Sequence, residues 1–111
     1  MLNQNISVCF SADTENSTLT AKLSGEIDHH NAFHIREKID MEICAKKPHL
    51  FILDLKNISF MDSSGLGLIL GRMNRAKELE AEFILTDPSP HVEKVLSLAG
   101  MERMVKIERS E

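Results

Sequence analysis

The sequence contains no tryptophan and no tyrosine, so its hydrophobic core must be built from aliphatic side chains with phenylalanine and methionine. Only two cysteines occur, Cys9 and Cys44, and they form no CxxC pair, which favours a reducing, cytoplasmic setting. No apolar run approaches the roughly 20 residues that cross a bilayer. Residues 1–5 lack the basic and apolar regions of a signal peptide. These absences predict a protein with no membrane partner.

Clustered positive charge is also missing. The formal net charge is −4, and the lysines and arginines form no basic stripe, so direct binding to nucleic acid is not expected. The chain has 111 residues, of which 42% are hydrophobic, and this size suits one small domain with a real core. We therefore predict a single domain over residues 1–111.

Hydrophobic patterning predicts four or five strands. Alternating apolar residues indicate two N-terminal strands, over 6–12 and 19–23, which we expect to pair as an antiparallel hairpin. The apolar segment Leu50–Leu55 lacks alternation and predicts a central parallel strand that is buried on both faces. A fourth strand is expected at Phe83–Leu85 and a short fifth one at Val105–Ile107.

Three segments carry apolar residues at helical spacing. The first follows Asp28 and Asn31, either of which can cap it, and the second runs from about residue 64 to 80. The third follows Ser89, a capping residue with proline after it. The alternation of strands and helices predicts an α/β fold with a mixed four- to five-stranded sheet, an N-terminal antiparallel hairpin, parallel inner strands and about three helices.

Residues 60–67 read FMDSSGLG and place a carboxylate and two hydroxyls where the third strand is predicted to give way to the second helix. A helix start favours added negative charge, so an exposed serine there could carry a phosphate without unfolding the domain. Asp62, Ser63 and Ser64 can all act as helix caps, but one cap suffices and a second serine is left free. Asp28 follows the second predicted strand. If the two strands are neighbours, their loops form one acidic, hydroxyl-bearing surface.

A serine hydrolase and a metal site fit the residues poorly. A nucleophile elbow requires G-x-S-x-G, and no glycine stands two residues before Ser63 or Ser64. His30 and His34 lie four residues apart on the first predicted helix, with His29 beside them, but neither a zincin glutamate nor a cysteine pair accompanies them. Solvated or capping histidines are the favoured interpretation, and we predict no metal and no other cofactor.

The glycines Gly65, Gly67 and Gly71 read G-x-G-x-x-x-G, which is one residue off the dinucleotide fingerprint. No G-K-[ST] is present to supply a phosphate-binding lysine. Gly67 and Gly71 lie on one helical face, where the missing side chains would permit close approach of a backbone or a partner. We favour that interpretation, and a weak phosphate site at the helix start remains the alternative.

Residues 58–72, ISFMDSSGLGLILGR, resemble a STAS domain and, more narrowly, the bacterial anti-sigma factor antagonists. Residues 23–32, LSGEIDHHNA, resemble the sporulation members of that family, which antagonise the anti-sigma F factor. The resemblance extends from the first predicted strand to residues 105–107 and implies one STAS domain over 1–111.

The resemblance implies a non-enzymatic role in sporulation-type transcription control by partner switching. The unphosphorylated antagonist binds an anti-sigma factor that is also a serine kinase carrying a nucleotide, and a sigma factor is released. Phosphorylation of Ser63, the first serine of the D-S-S element, blocks rebinding until a serine phosphatase removes the phosphate. The partner-binding residues implied by the family are Asp28, Asp62, Ser64, Gly65, Leu66 and Gly67. The alternative is a STAS-type domain that senses a nucleotide or another anion at the Ser63 helix start.

Overall fold

The computed structural model of the protein describes residues 5–110, and these form five strands in one sheet. The strands are β1 (Ile6–Asp13), β2 (Thr18–Ile27), β3 (Leu50–Met61), β4 (Glu82–Thr86) and β5 (Lys106–Glu108). They lie side by side in the order in which they occur in the chain. β1 pairs with β2 antiparallel, and every later pair is parallel. The predicted mixed sheet with an N-terminal hairpin is confirmed.

Helices connect the parallel strands, also as predicted. They are α1 (Ala32–Lys46), α2 (Ser63–Glu78) and α3 (Pro90–Leu98), and a 3₁₀ turn at Met101–Arg103 precedes β5. The apolar stripe of α1 is fully buried at Ile39 and Ile43. The chain leaves α3 through Gly100, whose φ of 72° is a left-handed conformation that glycine adopts without steric cost. No helix among residues 5–110 has the length and apolarity needed to cross a membrane.

The prediction that β3 is buried on both faces is wrong. Phe51, Leu53 and Leu55 are completely buried, whereas Leu50 and Ile52, which point the other way, are partly exposed. Each helix leads to the next strand along the sheet, and right-handed crossovers in one direction place all helices on the same face. The core therefore lies between the helices and one face of the sheet.

Strand β3 is also longer than predicted, since it continues past Leu55 to Met61. Pairing with β4 ends at Asp54, and the extension pairs with β2 alone, through a register that shifts twice. This extension carries polar residues, so the hydrophobic pattern did not predict it. As a result, Met61 at the end of β3 lies opposite Ile27 at the end of β2.

Ser89 stands before α3 as predicted, but its hydroxyl does not cap the helix. It donates a hydrogen bond of 2.5 Å to the backbone carbonyl of Ile58 in the β3 extension. Strand β4 does not pair with β3 at this position and so gives the Ile58 carbonyl no hydrogen-bond donor. The Ser89 hydroxyl acts as the donor instead. The start of α3 is thereby fixed to the end of β3, immediately before the candidate site.

Candidate functional site

The loop between β2 and α1 is held by two side chains that bind its backbone. One Asp28 carboxylate oxygen accepts hydrogen bonds from the N–H groups of His30 at 2.9 Å and Asn31 at 3.1 Å. The Asn31 side chain is buried, accepts from the N–H of Asp28 at 3.1 Å and donates to the carbonyl of Glu26 at 2.9 Å. Asn31 occupies the N-cap position of α1 without making a side-chain cap bond. The predicted side-chain cap of α1 by Asp28 or Asn31 is therefore wrong, because both side chains shape the loop.

The loop between β3 and α2 is capped by Asp62. Its carboxylate accepts a hydrogen bond of 2.8 Å from the N–H of Ser64, and its own N–H donates to the carbonyl of Ile27 at 3.1 Å. Helix α2 therefore begins at Ser63, one position earlier than predicted. Ser63 is exposed, and its hydroxyl makes no hydrogen bond with any residue in the range 5–110. The cap was predicted from three candidate side chains, and the structure assigns it to the carboxylate.

The two loops lie together at the carboxyl ends of β2 and β3, as the topology argument predicts. Nδ1 of His29 lies 3.8 Å from a carboxylate oxygen of Asp62, and the His29 side chain is largely exposed. The rings of His29 and His30 are 4.0 Å apart. The shared surface therefore carries the Asp28 and Asp62 carboxylates, the Ser63 hydroxyl and the two imidazoles of the β2–α1 loop. Within residues 5–110, no group of three metal-ligating side chains comes together.

The glycines of the D-S-S-G-L-G segment have different surroundings. Gly65 is buried, and a Cβ there would collide with the side chain of Met61 at the end of β3. Gly67 is exposed, and nothing lies within 4 Å of the position its Cβ would take. Leu66 is partly buried and packs against the core. Gly65 and Leu66 therefore fix the helix start against the sheet, whereas Gly67 leaves open space on the surface.

Helix α3 supports the site from another direction, through residues that the sequence analysis missed. A ring nitrogen of His91 lies 3.3 Å from the carbonyl oxygen of Met61, one residue before Asp62. The His91 ring stacks on Phe60 with centroids 5.1 Å apart, and the Phe60 side chain is 41% exposed. The topology could have predicted a role for the start of α3, because the loop before this helix also follows a parallel strand and reaches the same sheet edge.

Comparison with known proteins identifies this fold. Residues 10–111 match the family model of the STAS domain. The chain belongs to the STAS domain family. The resemblance found in residues 58–72 is thereby confirmed, and so is the STAS-like α/β fold.

Among curated STAS relatives, the anti-sigma F factor antagonist of Lysinibacillus sphaericus is 42% identical over 84 residues, which cover 76% of this chain and 72% of the relative. Among solved structures, the unphosphorylated anti-sigma factor antagonist SpoIIAA matches with a TM-score of 0.80 and 34% identity, over 95% of this chain and 89% of that one. The phosphorylated form of SpoIIAA from Bacillus matches with a TM-score of 0.72 and 33% identity, over 95% of this chain and 92% of that one.

Proposed function

We propose that this protein is an anti-sigma factor antagonist that switches partners through phosphorylation of Ser63. In the unphosphorylated state it binds an anti-sigma factor serine kinase in the cytoplasm and so frees a sigma factor, in sporulation-type transcription control. It catalyses no reaction itself. The observation that carries this proposal is the exposed hydroxyl of Ser63 at the start of α2, which the fold does not use because Asp62 caps the helix.

Names of similar proteins support the proposal. The Lysinibacillus relative is named an anti-sigma F factor antagonist. SpoIIAA, which has the same fold, is described in an unphosphorylated form and in a phosphorylated one. The family's phosphorylated serine corresponds to Ser63 here, and the partner surface consists of Asp28, Asp62, Ser64, Gly65, Leu66 and Gly67.

Electrostatics explains how one phosphate would dissociate the complex. Phosphorylation of Ser63 adds a charge of about −1.5 to −2. If a carboxylate or nucleotide phosphate of the partner lies at about 5 Å, with an effective dielectric constant of about 20, each unit pair costs roughly 3 kcal/mol. Half of that, after screening, still lowers affinity about a hundredfold when two charges interact. The helix start favours the same phosphate within the domain by about 0.3–1 kcal/mol, so the fold is kept.

The phosphorylation site is tested by incubating the purified protein with its cognate anti-sigma factor and ATP, followed by peptide mass spectrometry. We expect one phosphate, on Ser63, and none on the Ser63→Ala variant. Ser64→Ala shows which of the two serines is used, because Ser64 is the next residue of the helix and is partly buried; this variant should still be phosphorylated on Ser63. Phosphate on Ser64 instead, or none on either serine, would contradict the proposal.

Partner binding is tested by calorimetry with the same anti-sigma factor. Ser63→Ala should form a complex that persists in the presence of ATP, and a serine phosphatase should restore binding to the phosphorylated wild type. Ser63→Asp should bind poorly, because it places a negative charge at the same position. Binding of Ser63→Asp with wild-type affinity would show that charge alone does not drive release.

Direct sensing of a nucleotide or small anion is the alternative, and the geometry favours it less. The Asp62 carboxylate already occupies the helix start that an anion would use, and it binds the N–H of Ser64. Titration of the isolated protein with ATP and with inorganic phosphate tests this alternative. Micromolar affinity that changes in Asp62→Ala would support it over partner switching.

A further inference from the structure

A groove of about 370 Å³ opens between α1 and α2, directly beside the phosphorylatable helix start. It is lined by His29, Ala32, Phe33, Arg36, Ser64, Gly67 and Leu68. Only Ser64 and Gly67 of these belong to the partner surface that the family resemblance implies. The α1 side of the groove is therefore unassigned, although it is continuous with the site.

The floor of this α1–α2 groove is apolar and open. The Phe33 side chain is 53% exposed, so its ring is accessible to a partner. Leu68 is buried beneath the surface, and Gly67 contributes no side chain. The groove thus offers an aromatic wall and a cleared floor, which suit an inserted apolar side chain.

Arg36 carries the one formal charge among these lining residues, and it is positive, although the chain as a whole has a net charge of −4. The Arg36 guanidinium carbon lies 5.0 Å from the centroid of the Phe33 ring, in a cation–π contact. His29 also lines the groove, and its Nδ1 lies 3.8 Å from a carboxylate oxygen of Asp62. The Arg36 guanidinium attracts a carboxylate and disfavours a lysine or arginine of the partner.

We propose that the α1–α2 groove receives an apolar side chain of the anti-sigma factor that is flanked by a carboxylate. The apolar group packs against Phe33 over Gly67, and the carboxylate pairs with Arg36. This assignment rests on the proposed function. It also fits the switch, because the negative segment that Arg36 attracts is the kind of segment that a phosphate on Ser63 repels.

The test measures the affinity of the full-length chain for its cognate anti-sigma factor by calorimetry. Phe33→Ala should weaken binding about tenfold or more, as truncation of a central aromatic contact does. Met41→Ala is the matched control, since Met41 lies on the same helix, is 72% exposed and does not line the groove. Equal affinity of Phe33→Ala and Met41→Ala would overturn the proposal.

The charge of the partner segment is tested separately. Arg36→Glu should weaken binding about tenfold or more, and Arg36→Gln should make the affinity less dependent on salt. Lys38→Glu changes the net charge equally from an exposed position of α1 outside the groove and should bind nearly as wild type. Tighter binding by Arg36→Glu would show that the partner segment is basic. Binding unchanged from wild type would show that Arg36 contacts no charged group of the partner. Either result overturns the proposal.

Failure of this proposal can be told apart from failure of the proposed function. If the wild type does not bind the anti-sigma factor, or binds regardless of Ser63 phosphorylation, partner switching itself is wrong. If binding changes with Ser63 phosphorylation but not with substitution of Phe33 or Arg36, only the groove assignment is wrong. Binding of ATP to the isolated protein that is lost in Arg36→Glu would reassign the groove to a nucleotide.

Discussion

The carboxylate of Asp62 accepts a hydrogen bond of 2.8 Å from the N–H of Ser64, across the residue that carries the exposed hydroxyl. The bond satisfies one of the free N–H groups at the start of α2, so Ser63 is not needed as a cap. Asp62 holds the helix start, and the proposed phosphorylation of Ser63 would add charge without loss of a structural contact.

The Asp62 cap predicts stability effects of different size at the two neighbouring positions. Replacement of Asp62 by alanine should lower the free energy of unfolding by about 1 kcal/mol, within the 0.5–2 kcal/mol range for a lost N-cap. Ser63→Ala should change it by less than about 0.5 kcal/mol, as surface substitutions generally do. Urea denaturation of both variants measures the difference. A larger loss in Ser63→Ala than in Asp62→Ala would show that the serine is the true cap.

The candidate site was largely predictable because it depends on local patterning and topology. A strand signal before residues 60–67 and a helix signal after them place Ser63 at a junction, and parallel pairing of β2 with β3 brings Asp28 nearby. The extension of β3 to Met61 was not predictable, because it pairs on one side only and carries polar residues. The Ser89 and Asn31 hydrogen bonds were missed because both residues have strong capping preferences. Ser89 binds a distant carbonyl of β3 instead, and Asn31 binds the backbone of the residues just before it.

Two glycines inside α2, exposed Gly67 and partly buried Gly71, predict a conflict between stability and binding. Gly67→Ala and Gly71→Ala should each raise the free energy of unfolding by about 0.5–1 kcal/mol, because alanine is the better helix former and a Cβ meets nothing within 4 Å at either position. Only Gly67→Ala should weaken binding to the anti-sigma factor, since Gly67 lines the groove and Gly71 does not. Parallel melting and calorimetry of the two variants test this, and equal binding by both would place Gly67 outside the interface.

Helices α1 and α2 are joined by an ion pair whose two partners should respond differently to mutation. Nε of Arg72 lies 2.9 Å from a carboxylate oxygen of Asp40, and the Arg72 side chain is only 6% exposed. Burial lowers the pKa of Arg72, and the nearby Asp40 charge opposes that effect. Asp40→Ala leaves a buried guanidinium without its counter-charge and should cost up to about 3 kcal/mol of unfolding free energy.

Replacement of the whole ion pair by apolar residues should be tolerated better than loss of the carboxylate alone. The double variant Asp40→Leu/Arg72→Met buries no charge, and apolar replacement of a buried pair is often neutral or stabilising. Chemical denaturation of the single and double variants forms the comparison. If the double variant is less stable than Asp40→Ala, the pair makes a net stabilising contribution and the desolvation argument is wrong.

The loss of folding stability in acid should come in part from Asp87. Its carboxylate binds the chain after β5 to the loop before α3. Its oxygens accept hydrogen bonds from the N–H of Ser110 at 2.6 Å and from the Ser110 hydroxyl at 2.9 Å. The backbone bond is the largest of the effects that lower the pKa of Asp87 below the ordinary value of 3.8, followed by the hydroxyl bond and the nearby charges of Lys56 and Arg109. The folded protein therefore binds fewer protons than the unfolded chain in this range, and stability rises with pH. The contribution is complete above the unfolded pKa and is lost as pH falls through the lowered folded value.

Asp87→Asn removes this charge. The free energies of unfolding of the variant and the wild type should therefore differ less in acid than near neutral pH. Asparagine suits the position, because Asp87 has a left-handed φ of 50° that asparagine tolerates. Urea midpoints at about pH 6 and about pH 3 measure the effect, with the wild type losing more stability between them. Ser110→Ala, which removes only the hydroxyl donor, should show part of the same change. The pKa of Asp13 is also lowered, chiefly by the Asn16 side chain, so acid dependence is reduced in Asp87→Asn and not abolished. If the free energies of unfolding of the wild type and Asp87→Asn differ by the same amount at both pH values, the Asp87 charge contributes nothing to folding.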